Sequence, residues 1–338
     1  MGLKETATHR AALALCRKFP DAPARTLARK LHDENPALFP NLDLARSAVR
    51  RVFGVVGERH RKQPHAKLKR EPRKAGAVPP LPESCEANWE PHQIDARRVL
   101  VLADLHLPFH SVSAIDAALA YGARFDPDHI LLNGDVFDFY GISRFDKEPG
   151  KPKIADELRC GREFFAHLRH RFPKSDITFR YGNHDRRWDK YLTLNAAVLL
   201  DDHDLRDDIL TIWHKRAGIT ENGVRVVREQ KPVMLGKLPV FHGDELPRGM
   251  ASPVNPARGA FLRALASLLH SHLHRTSEHT ERTMDGRTIT CRTTGALCGL
   301  HPEYARINKW DSGFATVEVG SDGNYECELK KIIDKRVY

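Results

Sequence analysis

Apolar positions recur at three- to four-residue spacing over residues 6–55 and predict three amphipathic helices. The first places Leu13, Cys16 and Phe19 on one face. The second starts near Asp21 with Pro23 in its first turn, presents Leu27, Ala28 and Leu31, and ends at Asn35-Pro36. The third begins near Asp43 and is expected to bury Leu44, Ala48, Val49 and Val52 while Arg46, Arg50 and Arg51 face solvent. Between residues 58 and 96 the periodicity is lost. Basic residues, Lys67, Lys69 and Arg70 among them, alternate there with Pro64, Pro72, Pro79, Pro80 and Pro82, the composition of an extended linker. From Arg97 onward, short apolar runs at 99–103, 130–133, 177–181, 238–241 and 265–269 alternate with helical patterns. In the helical stretch 155–172, Leu158, Phe164, Phe165 and Leu168 share a face. Runs at 314–319 and 325–333 read as further, antiparallel strands. The plan is a helical module (1–57), a basic linker (58–96) and an α/β domain (97–338).

Charge sharpens this division. Residues 1–98 hold 20 Lys and Arg against 11 Asp and Glu, so they carry about nine of the ten net positive charges. Clustered cations release counterions on meeting phosphates, which points to a polyanionic partner. Arg46, Arg50 and Arg51 on the third helix, and Lys67, Lys69 and Arg70 in the linker, are the candidate contacts to DNA or RNA. A solvated, solubilising tail is the competing reading. A three-helix unit with a basic last helix is compatible with a helix-turn-helix reader. The connection from Asn35 to Leu42 exceeds the usual turn of about three to four residues, which leaves a helical interaction module open. No apolar stretch approaches the ~20 residues of a membrane span, so no membrane partner is expected. Charge at Lys4 and Glu5 and six scattered cysteines without a C-x-x-C pair lead us to expect a cytoplasmic protein with reduced thiols. Oligomeric state is not legible.

Each of the five apolar runs between 99 and 269 ends in a polar motif. These are Asp104-Leu105-His106, then Asn133-Gly134-Asp135-Val136-Phe137-Asp138, then Gly182-Asn183-His184-Asp185, then His242-Gly243-Asp244, and last Ser271-His272-Leu273-His274. Any one of them alone is an ordinary turn or a structural histidine. Five in succession, each at the carboxyl end of a strand, can converge on one point. Such a set suits two divalent cations about 3.5–4 Å apart, which need a bridging carboxylate and mixed imidazole and oxygen ligands. With no cysteine among the motifs, Mn²⁺ is the first expectation, with Fe or Zn²⁺ as alternatives.

In this order the motifs resemble those of the calcineurin-like metallophosphoesterase superfamily, over roughly residues 97–338. The layout of basic helical N-terminus, linker and this domain is similar to phosphoesterases of phage and bacterial genomes. The resemblance implies a four-layer α-β-β-α sandwich carrying a small all-α N-terminal module. It also implies roles. Asp104, His106 and His274 would hold one metal, Asn183, His242 and His272 the other, and Asp135 would bridge them. His184 would contact the phosphoryl group and protonate the leaving oxygen, with Asp185 orienting it. Ser271 stands where the family usually has glycine.

A hydroxide held between the two cations would attack in line, with the cations neutralising the phosphate oxygens. Asp138 is a candidate partner for a metal-ligating histidine. Arg144, Arg186, Arg187 and Arg258 are candidate phosphate clamps, and residues 249–259 a candidate substrate loop. His110, His129, His203, His214 and His279 match no motif, and His270 is expected to face away from the site. Trp310 reads as core packing, with a stacking surface as the alternative. The leading expectation is a phosphodiesterase acting on nucleic acid. The alternatives are a phosphomonoesterase on a nucleotide or phosphoprotein, and a DNA-binding regulatory or structural protein with a degenerate metal site.

Overall fold

The computed structural model describes residues 6–53, 80–86, 89–144, 146–246 and 254–338. Lys67, Lys69 and Arg70 lie outside the described residues, as does the 249–253 part of the expected substrate loop. The chain divides into two compact units, Met1–Cys85 and Glu86–Tyr338.

In the first unit, α1 (Ala7–Lys18), α2 (Ala24–Glu34) and α3 (Leu42–Phe53) enclose a common apolar core. Thr6 caps α1 by accepting the His9 amide at 3.3 Å. Pro23 stands just before α2, where its missing N–H costs nothing. Two expected faces are displaced by one position. On α1 the buried residues are Ala12, Leu15 and Cys16, with Leu13 and Phe19 half-buried. On α3, Leu44 is 50% exposed and Ala45 is buried. Ala45, Ala48, Val49 and Val52 form one stripe at helical spacing, and Leu44 falls a step of the helix away from it. The long α2–α3 connection has a use: its Phe39 is buried in the bundle, and His32 Nδ1 meets the Phe39 carbonyl at 2.7 Å.

The second unit contains two sheets among the described residues. The larger has the order β13-β12-β11-β2-β3-β4-β5, from β2 (Arg98–Leu102), β3 (His129–Asn133), β4 (Asp176–Arg180), β5 (Val224–Val227), β11 (Ser312–Val319), β12 (Tyr325–Ile333) and β13 (Arg336–Val337). Its β2-β3-β4-β5 half is parallel, and β11 and β12 join antiparallel, as the sequence leads one to expect. The smaller has the order β1-β6-β7-β8-β10-β9, from β1 (His92–Ile94), β6 (Val233–Leu235), β7 (Leu238–Val240), β8 (Leu268–His270), β9 (Ser277–Arg282) and β10 (Thr288–Thr293). Since β1 pairs with β6, the end of the stretch read as linker is a strand of this sheet.

Alternation along the strands builds the layers. Val99, Val101 and Leu131 face Val233, Leu238, Val240 and Leu269 between the sheets. Leu100, Leu102, Ile130 and Leu132 face the other way, against α4 (Val112–Phe125), α5 (Ile154–Arg171) and α7 (His203–Arg216). On the outside of the smaller sheet, α8 (Pro256–Ala264) packs Ala257 and Ala260 on Leu268, Ile289 and Cys291. The result is the expected α-β-β-α sandwich. One strand starts later than expected. Leu265 ends α8 in a left-handed conformation (φ 49°), so β8 begins only at Leu268.

Candidate metal centre

The five motifs meet where strand ends of both sheets face each other: β2, β3 and β4 from the larger, β7 and β8 from the smaller. The chain must turn sharply off each strand to point side chains inward. Asp104, His106, Asp135, His272 and His274 all have φ between 51° and 70°. Non-glycine residues held there cost about 1–3 kcal/mol each, and clustering of such strain is a mark of functional sites. Two glycines are demanded by close approach. A Cβ on Gly134 would lie 2.3 Å from His242 Nδ1, and one on Gly182 would lie 2.2 Å from Asp135 Oδ1.

Asp135 is central. Its Oδ2 lies 3.2 Å from His242 Nε2 and 3.9 Å from His106 Nε2, and its Oδ1 accepts the His184 amide at 2.8 Å. Asp104 Oδ1 is 3.2 Å from His274 Nε2, which is itself 3.2 Å from His106 Nε2. Among the described residues, three groups place donor atoms within 4.8 Å of one another: His106, Asp135 and His184; Asp135, His242 and His272; His106, His274 and Cys298. Asp135 is shared by two of them. Asn183 Oδ1 is buried and makes no hydrogen bond among the described residues. Imidazole nitrogens and carboxylate oxygens packed at these distances, with a buried amide oxygen left over, fit divalent cations.

Electrostatics agrees. Burial works to raise the Asp135 carboxyl, but the attraction of His242, His184 and His106 outweighs it and holds the group well below its ordinary value. Burial opposes charge on His242 and His274, yet the carboxylates of Asp135 and Asp104 lift each to about 10. The carboxylates thus draw positive charge strongly enough to hold protons on neighbouring imidazoles.

One expected role changes hands, while Asp138 holds the ring of His106, a candidate metal ligand, as expected. Asp185 does not orient His184. Its Oδ2 accepts the Asp135 amide at 2.7 Å and the Gly182 amide at 2.8 Å, and its Oδ1 accepts the Phe137 amide at 2.9 Å, which pins two ligand loops together. Burial, then the charge of Asp135, pushes its carboxyl up to about 7. The partner of His184 is Asp138, whose Oδ1 meets His184 Nδ1 at 2.9 Å and His106 Nδ1 at 3.1 Å. Arg187 donates to His184 Nε2 at 3.1 Å and to the Asp138 carbonyl at 2.6 Å.

A cavity of about 760 Å³ opens beside the centre. Arg144 and Arg187 line it together with Asn183 and His272. Arg186 is instead paired with Asp244, and its Nη1 donates to the Tyr181 carbonyl at 3.0 Å. Arg258 is exposed on α8, while Arg263 of the same helix lines the cavity. Sequence reasoning also missed His270, Cys298 and Trp310. His270 was expected to face away but is buried and lines the cavity. Cys298 Sγ lies 4.0 Å from His274 Nδ1, and the Trp310 ring sits 4.1 Å from the His274 ring. No motif flags either residue, since each reaches the site from the loops after β10. His129, which matches no motif, meets Thr178 Oγ1 at 2.9 Å, and His279 lies 3.2 Å from Glu281.

Residues 97–256 match the family model described as calcineurin-like phosphoesterase. The Gene 54 protein of Mycobacterium phage L5 is 29% identical over 111 residues, which is 31% of this chain and 43% of that protein. The match thus spans less than half of the L5 protein. The Gene 54 protein of Mycobacterium phage D29 is 24% identical over 253 residues, covering 71% of this chain and 96% of that protein. Among solved structures, Vacuolar Protein Sorting 29 from Cryptosporidium parvum is 15% identical with a TM-score of 0.35, covering 72% of this chain and 95% of its own. Vps29 from Chaetomium thermophilum is 13% identical with a TM-score of 0.31, covering 70% and 96% respectively.

Proposed function

From the premise that residues 97–256 form a calcineurin-like phosphoesterase domain, we propose that this protein hydrolyses phosphodiester bonds of nucleic acid in a metal-dependent reaction. The observation that carries the reading is the position of Asp135, whose carboxylate lies with His106 of one proposed ligand set and with His242 and His272 of the other, which supports a dinuclear centre. Asp104, His106 and His274 would hold one cation, Asn183, His242 and His272 the other, and Asp135 both, with Mn²⁺ the first candidate. Bound there, the cations would supply Lewis acidity to the phosphate oxygens and lower the pKa of water.

The chain's own groups do the rest. Asp138 accepts the Nδ1 proton of His184 and fixes the ring, so that Nε2 is the atom that meets the leaving oxygen. Arg187 occupies Nε2 in the resting geometry. As substrate enters, its guanidinium turns to the phosphate oxygens, a planar fork matched to them, and the freed Nε2 takes up a proton from water, which it then passes to the leaving oxygen. The basic α3 and the cations of the cavity favour a polyanion over a small neutral ester.

The test is hydrolysis of bis-p-nitrophenyl phosphate against p-nitrophenyl phosphate with Mn²⁺. The reading expects the diester to be the better substrate. Cleavage of the monoester alone would move the function to a phosphatase.

A further inference from the structure

We propose that the cavity beside the metal centre is a subsite for one unpaired nucleotide next to the scissile phosphate, which makes a single strand the preferred substrate. The inference rests on the phosphodiesterase reading above and adds the form of nucleic acid it acts on.

One wall of the cavity is a single helix face. On α6 (Arg187–Asn195), Arg187, Lys190, Tyr191 and Leu194 follow at i, i+3, i+4 and i+7, and all four line the cavity. The opposite side of α6 is anchored by Trp188, which packs against the main core and donates from Nε1 to the Ile209 carbonyl at 3.1 Å. With that side fixed, the cavity face is left with an aromatic ring 45% exposed and a leucine 65% exposed, interleaved with two cations. Exposed aromatic and apolar surface between cations is the combination that binds bases by stacking and phosphates by charge.

The floor adds a polar contact. His270 is 1% exposed and lines the cavity. Its Nδ1 donates to the Ser271 carbonyl at 2.9 Å, and its Nε2 is buried with no hydrogen-bond partner among the described residues. In the neutral ring that leaves a lone pair able to accept from an N–H or O–H of the ligand. A buried acceptor without a donor is unfavourable until something fills it. Negative charge, a flat apolar face and a hydrogen-bond donor together describe a nucleotide, and a volume of about 760 Å³ holds one. Bases within a duplex are stacked and paired, so they reach such a cavity only by being extruded.

The experiment uses the full-length protein and two readouts. Calorimetry on metal-free protein compares 5′-AMP with ribose 5-phosphate, which share the phosphate and differ in the base. The base should tighten binding on the order of tenfold, as one stacking contact does. Tyr191→Ala and His270→Gln should each shrink that preference; Tyr191 is exposed, so its variant reads out even if the buried His270→Gln fails to fold. With Mn²⁺, a single-stranded oligonucleotide should be cleaved on the order of tenfold or more faster than its duplex, for the same stacking contribution. Equal binding of the two phosphates, a preference untouched by Tyr191→Ala, or equal cleavage of strand and duplex would each overturn the subsite. A protein that prefers AMP yet cleaves no diester would keep the subsite and overturn the phosphodiesterase reading instead.

Discussion

Asp138 is buried between two imidazoles that need fixed orientations for different reasons. It faces the outer nitrogen of His106, whose Nε2 turns to the proposed metal site, and the Nδ1 of His184. Burial works to raise its carboxyl, but its bonds to His106 and then His184 win and lower it below the ordinary range. Asp138→Asn keeps the shape and removes the charge. We expect metal affinity and turnover each to fall by about 10- to 100-fold, as loss of such supporting contacts does elsewhere. Metal titration and steady-state kinetics check this, and unchanged values for both would remove Asp138 from the account. Gly182 makes a second prediction. A methyl there must displace Asp135 Oδ1, 2.2 Å away, and the backbone that holds it. Gly182→Ala should cost at least about 2 kcal/mol in urea unfolding, the scale of overpacking in a rigid core, and should weaken metal binding with it.

At the scale of elements, α5 does more than cover the sheet. Its Glu157 is buried and accepts the Phe139 amide through Oε2 at 2.6 Å, steadying the loop that carries Asp138. Burial, then the charge of Asp138, raises this carboxyl to about 8 from an ordinary 4.5. A raised acid binds its proton more tightly folded than unfolded. Its contribution is therefore complete below about pH 4.5 and is lost as the pH rises through about 8. Between those limits wild-type stability should fall with a component of up to about 1.4 kcal/mol per pH unit. Glu157→Gln should lack that component. Parallel stability–pH curves for the two proteins would show that Glu157 is charged in the fold.

The strand-end motifs were legible because each needs only a local pattern, an apolar run followed by a tight turn with ligands. Which sheet each strand joins was not, since pairing is settled by residues far apart in sequence, such as Ala315 against Val101. The start of β8 is hidden because the run from Ala264 to Leu269, interrupted only by Ser267, crosses a helix end and a strand with little change in hydrophobicity. The orienting role expected of Asp185 rests on the family resemblance, and nothing in the local sequence shows that Asp138 takes it. The folded backbone presents three amides to Asp185 and leaves Asp138 facing the ring. Cys298, Trp310 and His270 carried no spacing signal at all.

For the whole molecule, charge and chemistry are divided between two units. The α3 helix buries one stripe of the helical module and exposes Arg50 and Arg51, with Arg46 half-buried beside Asp43. If these arginines meet nucleic-acid phosphates, replacing all three with alanine should lower the slope of log affinity against log salt by about 3. Diester hydrolysis of a small chromogenic ester reports on the other unit. An unchanged salt slope in the triple variant would assign α3 to another partner. No helix among the described residues is long and apolar enough to cross a membrane.

The central claim is that Asp135 joins two cations in a phosphoesterase centre. Metal content per chain, measured by mass spectrometry after Mn²⁺ loading and removal of the excess, tests it most directly in the wild type and in Asp135→Asn. The account predicts two ions per chain in the wild type and a loss of at least one in the variant, since both sites share this carboxylate. Two ions retained in Asp135→Asn, or fewer than two in the saturated wild type, would contradict it.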